Sequence, residues 1–279
     1  MDKPVLLIDT RNALYRAIFA VKADRRNTIK YHYFTILLRQ ITSWANMYNP
    51  ESINIFWDAP RTSVWRRKIL PTYKDRTNST YVEDISEDLF KTTAIAKEFF
   101  KVMNVRQFEK KTMEADDLIY SAVTMLHPQK TIVVSTDSDM IQIPFNYDSC
   151  TVYNPTKKEE TKIPNVNPVV KKAIIGDKSD AIVGYYGIGD KKSQKMLETP
   201  SKLQEFLQET GRDVYHRNLL LIDLSLNPKL LHNKLYVQRK MSKPVEFDKK
   251  IINELVHKYK VNGILQEYAD VIAPFEKLI

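Results

Sequence analysis

The sequence predicts an α/β fold built on a mainly parallel central sheet. Three observations carry that expectation. Short apolar runs at residues 4–9 (PVLLID), 53–58 (INIFWD) and 131–135 (TIVVS) end on acidic residues or run into them, as strands buried on both faces do where they open onto a site. Helical periodicity fills the stretches between them, and strands alternating with helices imply right-handed crossovers and parallel pairing. After residue 165 the alternation stops, and helices with turn signals follow without convincing strands.

Taken in order, the run at 4–9 leads into a helix with Leu14, Ile18 and Val21 on one face. Residues 31–48 form a second helix, stopped by Asn49-Pro50. The strand at 53–58 follows, then a weaker one at 104–108 (NVRQF). A helix over 114–126 carries Leu118, Ile119, Ala122 and Leu126, and the strand at 131–135 closes the series. Between Trp65 and Phe90 the pattern dissolves into Arg, Lys, Thr, Ser, Asn and Tyr around Pro71. That stretch is too long for an ordinary connection and is therefore functional or mobile. A boundary near residue 165 divides a core, 1–165, from a helical lobe, 166–279, which is either interlocked with the core or separable.

The chain carries 43 Lys and Arg against 34 Asp and Glu, a formal net charge of +9. Nine of the acids fall in four motifs: Asp9 and Asp58; Glu114, Asp116 and Asp117; Asp137 and Asp139; Asp177 and Asp180. In an open α/β sheet ligands bind beyond the carboxyl ends of the strands. Asp9, Asp58 and the Asp137/Asp139 pair fall at that edge, and Glu114 to Asp117 open a helix. Gathered carboxylates repel one another unless cations neutralise them. Oxygen-only donors without neighbouring His or Cys favour Mg²⁺ or Mn²⁺ over zinc. Two such ions about 4 Å apart can clamp the attacking and leaving oxygens of a phosphodiester. An acidic centre in a basic body suits a polyanion. Singly, these acids read as helix N-terminal charge or a solvated turn; four motifs at matching positions favour metal-assisted phosphodiester hydrolysis.

Several classes are excluded or disfavoured. No P-loop pattern is present, no Ser/His/Asp or Cys/His arrangement emerges, and the five His are scattered. The single cysteine, Cys150, forms no internal disulfide, which fits a reducing cytosol. No apolar stretch reaches the roughly 20 residues that span a bilayer, and the amino terminus does not read as a secretory signal. The expectation is a cytoplasmic protein.

The stretch GDKSDAIVGYYGIGDKKSQKML (176–197) sets Gly184, Gly187 and Gly189 in a turn opening a helix at Asp190. Glycines there let a phosphate approach backbone N–H groups, and Lys191, Lys192 and Lys195 add positive charge. A plain helix–turn–helix corner is the bland alternative. Asp177 and Asp180 immediately upstream tie this hairpin to the acidic motifs.

Together, LLIDTRNALYR (6–16), WDAPRTSVWRRKILPTYKDR (57–76), EADD (114–117), STDSD (135–139) and GDKSD…GYYGIGDKK (176–192) resemble the flap endonuclease and 5′–3′ exonuclease family, most closely its bacteriophage members, including phage ribonuclease H. The resemblance implies a PIN-like sheet, a helical arch about 65–90 over the site, and a helix–hairpin–helix about 176–197 that grips duplex DNA. It implies first-metal ligands Asp9, Asp58, Glu114 and Asp116, and a second-metal group Asp137, Asp139 and Asp180, with Asp117 and Asp177 acting through water. Lys74 matches the arch-base lysine that stabilises developing phosphate charge, with Arg67 assisting, and Arg16 a substrate-contacting arginine. The hairpin glycines with Lys191 and Lys192 match the duplex-binding turn, where a monovalent cation is often held. Thr10 stands where Gly is frequent, and Ala181 and Val183 replace a frequent Asn and Pro. Trp65, Tyr73, Tyr81 and the Tyr185-Tyr186 pair either stack on displaced bases or pack.

The implied activity is a metal-dependent 5′ nuclease using two Mg²⁺ or Mn²⁺, acting on DNA with a 5′ flap or 5′ end, and on RNA–DNA hybrids in primer removal. The expected protein is a monomer, in the host cytoplasm if phage-encoded, with replication proteins as further partners. The competing readings are a non-catalytic branched-DNA-binding protein and a PIN-type ribonuclease for single-stranded RNA. The first predicts a missing ligand or a missing Lys74; the second has no use for residues 176–195.

Overall fold

A computed structural model of the chain describes residues 3–23, 32–75, 80–261 and 263–278. The side chains of Val21 and Tyr81 lie outside the described residues. Strand β1 (Val5–Asp9) leads into α1 (Thr10–Ala23) and α2 (His32–Tyr48), and β2 (Ser52–Phe56) follows. A long α3 (Thr80–Phe100) precedes β3 (Arg106–Phe108), α4 (Ala115–Leu126) and β4 (Thr131–Val134). Then come α5 (Gln142–Asn146), β5 (Cys150–Asn154) and β6 (Glu159–Glu160).

These strands form one six-stranded sheet in the order β3-β2-β1-β4-β5-β6, parallel throughout except for β6. The chain runs outward from β1 through β2 to β3, then crosses back to place β4 on the other side of β1. This is a topological switch point, and it opens a crevice at the carboxyl ends of β1 and β4. In register, Asp9 pairs with Phe56 and Ile8 with Val134, so Asp58 and Asp137 lie just past their strand ends at the same edge as Asp9.

Alternation along β1 divides the core between two faces. Leu6 and Ile8 join an apolar layer with Phe34, Leu37, Phe99 and Phe100, whereas Val5 and Leu7 join Leu118, Ile119 and Val123 of α4. The apolar runs at 4–9, 53–58 and 131–135 read as buried strands because both their faces are covered.

The structure departs from the sequence reading in three places. Residues 80–90, expected to be patternless, form the first half of α3. Among its described side chains, Leu89, Ile95, Ala96, Phe99 and Phe100 pack into the core, and they lie in or at the edge of the second half. Second, β5 and β6 were not anticipated. Third, the region after residue 165 contains a small antiparallel pair, β7 (Gly176–Asp177) with β8 (Ile182–Val183).

That region begins with α6 (Pro168–Ile175), capped by the Asn167 side chain. The hairpin then leads to α7 (Asp190–Leu197), α8 (Pro200–Thr210) and α9 (Asp213–Ile222). Val169, Ala173, Ile182, Leu221 and Ile222 form a cluster separate from the two sheet faces, shared with Val64 and Tyr73. The later helices behave differently. Val237 of α10 (Leu230–Met241) packs with α4, while Ile252 and Val256 of α11 (Lys249–Tyr259) and Phe275 enter the layer that holds Leu6 and Ile8. Backbone bonds reinforce this return: the Asn104 amide donates to Glu246 at 2.7 Å and the Asp248 amide to Val102 at 3.0 Å.

Candidate active site

Eight of the nine sequence-selected acids fall into two neighbouring groups at the carboxyl edge of the sheet. The first lines a cleft of about 210 Å³ and comprises Asp9, Asp58, Glu114, Asp116 and Asp137, with Asn12, Arg11 and Lys74 on its walls. Asp9 ends β1; its two oxygens accept from the Asn12 amide at 3.2 Å and the Ser135 hydroxyl at 2.9 Å. One Asp58 oxygen accepts from the Ala115 amide at 2.7 Å, and the other lies 3.6 Å from Arg11. Glu114 caps α4 and Asp116 sits in its first turn.

The second group brings one carboxylate oxygen each from Asp139, Asp177 and Asp180 within 4.8 Å of one another. Asp139 lies in a 3-10 turn, Ser138–Ile141, whose preceding Asp137 side chain accepts from the Asp139 amide at 2.9 Å. Asp177 and Asp180 come from the β7–β8 turn. Asp137 was expected with the second group, but it lines the first cleft. Asp177, expected to act through water, has its oxygen among the other two.

Two side chains from the stretch that follows the 3-10 turn Trp65–Lys68 bridge the groups. The Tyr73 hydroxyl stands 3.0 Å from Asp180 Oδ2 and 3.2 Å from Glu114 Oε2. Lys74 Nζ lies 2.6 Å from Glu114 Oε1 and 3.8 Å from Asp180 Oδ2, and the Lys74 amide donates to the Asp180 carbonyl at 3.0 Å. Lys74 holds a left-handed backbone, φ 53°, uncommon for a residue with a side chain.

Electrostatics separate the groups. Burial, then the neighbouring Asp58, pushes Asp9 up to about 7. Asp116 is driven well above the carboxylate range by burial and by Asp137 and Asp9. Among the described residues no ion pair reaches either of them. Burial pushes Glu114 upward too, but the Lys74 and Arg66 cations outweigh it and leave its carboxyl below the usual glutamate range. In the second group burial raises Asp139 to about 6 against the pull of Lys172. For Asp177, hydrogen bonds from Lys172 and Ser179 overcome burial and hold its carboxyl low. The buried Asp9 and Asp116 oxygens, which no ion pair among the described residues reaches, and three converging oxygens in the second group fit hard divalent cations.

Asp117 is a correction. It is 1% exposed and faces away from the cleft, toward Arg66 Nη2 at 2.9 Å and Trp65 Nε1 at 3.1 Å, and it accepts from the Glu114 amide at 3.0 Å. Its carboxylate is engaged with Arg66, Trp65 and the start of α4, and it is not among the residues lining the cleft. Arg67 is a second correction: it donates to the Pro71 carbonyl at 3.1 Å and sits 3.6 Å from Asp75, away from the acids. Its neighbour Arg66 reaches the site instead. Arg66 is 3% exposed, contacts Glu114 at 2.7 Å, donates to the Leu221 carbonyl at 2.7 Å and stacks over Trp65. Trp65 and Tyr73 are therefore buried packing and bridging residues, unavailable for base stacking.

Arg16 bonds the Thr156 hydroxyl, at the β5–β6 turn rather than among the acids. Gly184, Gly187 and Gly189 lie where the turn was expected, with α7 starting at Asp190. Any Cβ at Gly184 would stand 2.2–2.4 Å from the backbone of Ile174 and Ile175. Gly187, at φ 73°, and Gly189 face open space. Lys191 and Lys192 are exposed, Lys192 bonding the Gly187 carbonyl at 3.1 Å. Tyr185 packs through its hydroxyl on the Gly211 carbonyl at 2.6 Å, whereas Tyr186 is fully exposed.

Sequence reasoning missed Arg11, Arg66 and Lys172. It also missed an apolar cavity of about 490 Å³ beside the cleft, lined by Leu14, Tyr15, Trp57, Leu89 and Phe90 and sharing Arg11 and Asp58 with it. Tandem basic residues give no hint of which member turns inward, and the cavity needs α3, which the sequence reading lacked.

Residues 4–173 match the model of the 5′-3′ exonuclease N-terminal resolvase-like domain. DNA polymerase I of Bacillus caldotenax is 27% identical over 259 residues, covering 81% of this chain and 28% of that protein; the chain thus spans under a third of that relative. A 5′-3′ exonuclease of Mycoplasma genitalium is 25% identical over 310 residues, covering 96% of this chain and all of that protein. In three dimensions, bacteriophage T5 5′-exonuclease with zinc bound superposes with a TM-score of 0.66 at 20% identity, covering 92% of this chain and 98% of that one. The T5 flap endonuclease in complex with DNA and metal ions gives 0.65 over the same shares.

Proposed function

The chain belongs to the 5′-3′ exonuclease family, and from that membership we propose that it is a structure-specific 5′ nuclease that hydrolyses phosphodiesters with two Mg²⁺ or Mn²⁺. The observation that carries the reading is the pairing of two carboxylate groups bridged by Lys74 and Tyr73. Such a pair suits one phosphodiester held between two cations. Asp9, Asp58, Glu114, Asp116 and Asp137 would hold the first cation, and Asp139, Asp177 and Asp180 the second. When bound, the ions supply Lewis acidity and a hydroxide nucleophile at neutral pH.

The chain's own groups do the rest. Asn12 and Ser135 hold the Asp9 carboxylate in one orientation, and Ala115 holds Asp58. Lys74, the proposed catalytic lysine, keeps an ammonium between the groups, ready to meet negative charge developing on the phosphate. Arg11, at the cleft wall, takes the assisting role first expected of Arg67. Tyr15 and Phe90, bordering the neighbouring cavity, offer faces for an unpaired base. Duplex grip falls to the hairpin, through Gly187, Gly189, Lys191 and Lys192, with Arg16 as an outlying backbone contact. We keep the proposed division near residue 165 and assign the grip to α6 through α9, because α10 and α11 pack on the sheet. A monovalent cation at the hairpin belongs to the same proposal.

The proposed substrates are DNA with a 5′ flap or 5′ end, and the RNA strand of RNA–DNA hybrids, as primer removal in replication requires. The proposed working form is a cytoplasmic monomer. No helix among the described residues is long and apolar enough to cross a membrane. The test is cleavage of a 5′-flap duplex, an RNA–DNA hybrid and single-stranded RNA with Mg²⁺ or Mn²⁺. Cutting of the flap with chelator-sensitive kinetics is expected. Asp139→Asn should lower the rate by more than the roughly 100-fold typical of losing a supporting outer contact, with flap binding retained. Binding without cutting in the unsubstituted protein would favour the non-catalytic reading, and preference for single-stranded RNA the PIN-type one.

A further inference from the structure

The second carboxylate group already contains a cation of its own. Lys172, on α6, reaches between Asp139 and Asp177: its Nζ bonds Asp139 Oδ1 and lies 2.5 Å from Asp177 Oδ2. Those are two of the three converging oxygens of that group, and the third residue, Asp180, stands beside Lys74. The Lys172 side chain is 20% exposed, so its ammonium is held at the mouth of the group rather than sealed inside it. In the cleft the cations stand at the walls, Lys74 and Arg66 on Glu114 and Arg11 on Asp58, and among the described residues no ion pair is made to Asp9 or Asp116. Part of the first group is thus unpaired, whereas in the second Lys172 spans two of the three converging oxygens.

The geometry points to Lys172 as a displaceable internal counter-ion that keeps the second cation position closed until a divalent ion replaces its ammonium. This deepens the two-cation reading of the site and rests on it. Three carboxylates with no cation between them would spread apart or take up protons; an ammonium between two of them keeps the oxygens converged. Because a divalent cation must break both Lys172 contacts to enter, the second position is the weaker one. The two positions then fill in order, the cleft with its unpaired Asp9 and Asp116 first. Once displaced, the ammonium remains tethered to α6 at the rim, where a bound polyanion supplies its replacement partner. α6 is also linked to the hairpin helix, through Lys171 and Asp190 at 2.8 Å. Filling of the second position is thereby joined to the element proposed to hold the duplex.

The test counts Mn²⁺ bound to the full-length protein, without nucleic acid, by the electron paramagnetic resonance of the free ion at one pH and ionic strength. Wild-type protein is expected to bind one ion tightly and a second at least about tenfold more weakly, the second class vanishing in D139N. K172M is expected to strengthen the second class by about tenfold, and K172Q carries the same expectation if K172M folds poorly. K172R, which keeps a cation, should leave the gap open. K171M, which removes the same charge one residue away, should change either class by less than about twofold. A second ion that binds K172M and K172Q no more tightly than wild type would overturn the counter-ion role and leave the two-cation reading standing. Absence of a second ion from every protein would overturn both.

Discussion

Arg66 is the residue on which most of the site's order depends. Its guanidinium touches Glu114, Asp117 and the Leu221 carbonyl from a position sealed from solvent. A buried ion pair adds little over an apolar replacement, but removing one partner strands the other charge at about 3–5 kcal/mol. Arg66→Met is accordingly expected to lower unfolding free energy by about that amount, read from urea denaturation at neutral pH. Asp116 is the converse case. Burial raises its pKa far above the unfolded value, so below the unfolded pKa it costs the fold nothing, and the penalty grows as pH rises above that value. Asp116→Asn should therefore raise the Tm of chelated protein at pH 8, with a smaller rise at pH 5, and abolish most of the stabilisation by Mn²⁺. Thermal scans at both pH values check the sign. At this scale the sequence was legible where chemistry is dense: eight of the nine chosen acids converge. It was mute where neighbours compete, because nothing local distinguishes Arg66 from Arg67, or Asp117 from Asp116; a buried 3-10 turn and one helical turn make those choices.

Among the elements, strands β1, β2 and β4 were readable because each is covered on both sides and so is apolar without interruption. Strand β5 and helix α3 were not. In α3 the fully buried side chains among the described residues, Ala96, Phe99 and Phe100, lie in the second half, while Phe90 is 77% exposed, so the described core contacts tie the helix down through that half. The hairpin was legible through its glycines, but they do different things. At Gly184 an added Cβ collides with the backbone of α6, whereas Gly187 needs only its positive φ. Gly187→Ala should cost about 1 kcal/mol, and Gly184→Ala about 2 kcal/mol or more. Chemical denaturation of the two variants side by side checks the order.

Across the whole molecule, the proposed function divides holding and cutting between the hairpin lysines and the acidic centre. If Lys191 and Lys192 each neutralise a phosphate, replacing both with Ala should reduce the slope of log affinity against log salt by about 2. Titration of a flap duplex at several salt concentrations measures it. The division near residue 165 captured the change from strands to helices but not the return of the chain. A helix that docks on a sheet and one that builds a lobe carry the same periodicity, so partner choice was hidden in the sequence. That return has a consequence for biosynthesis. The layer holding Leu6, Phe34 and Phe100 is completed by carboxyl-terminal residues that include Ile252, Val256, Ile272 and Phe275. A nascent chain therefore leaves the ribosome with its carboxylate-bearing edge already encoded but one face of its sheet still uncovered. Such contacts between distant parts of the chain make closure late and slow, and a message cut short before these helices would yield a sticky intermediate and no partial nuclease.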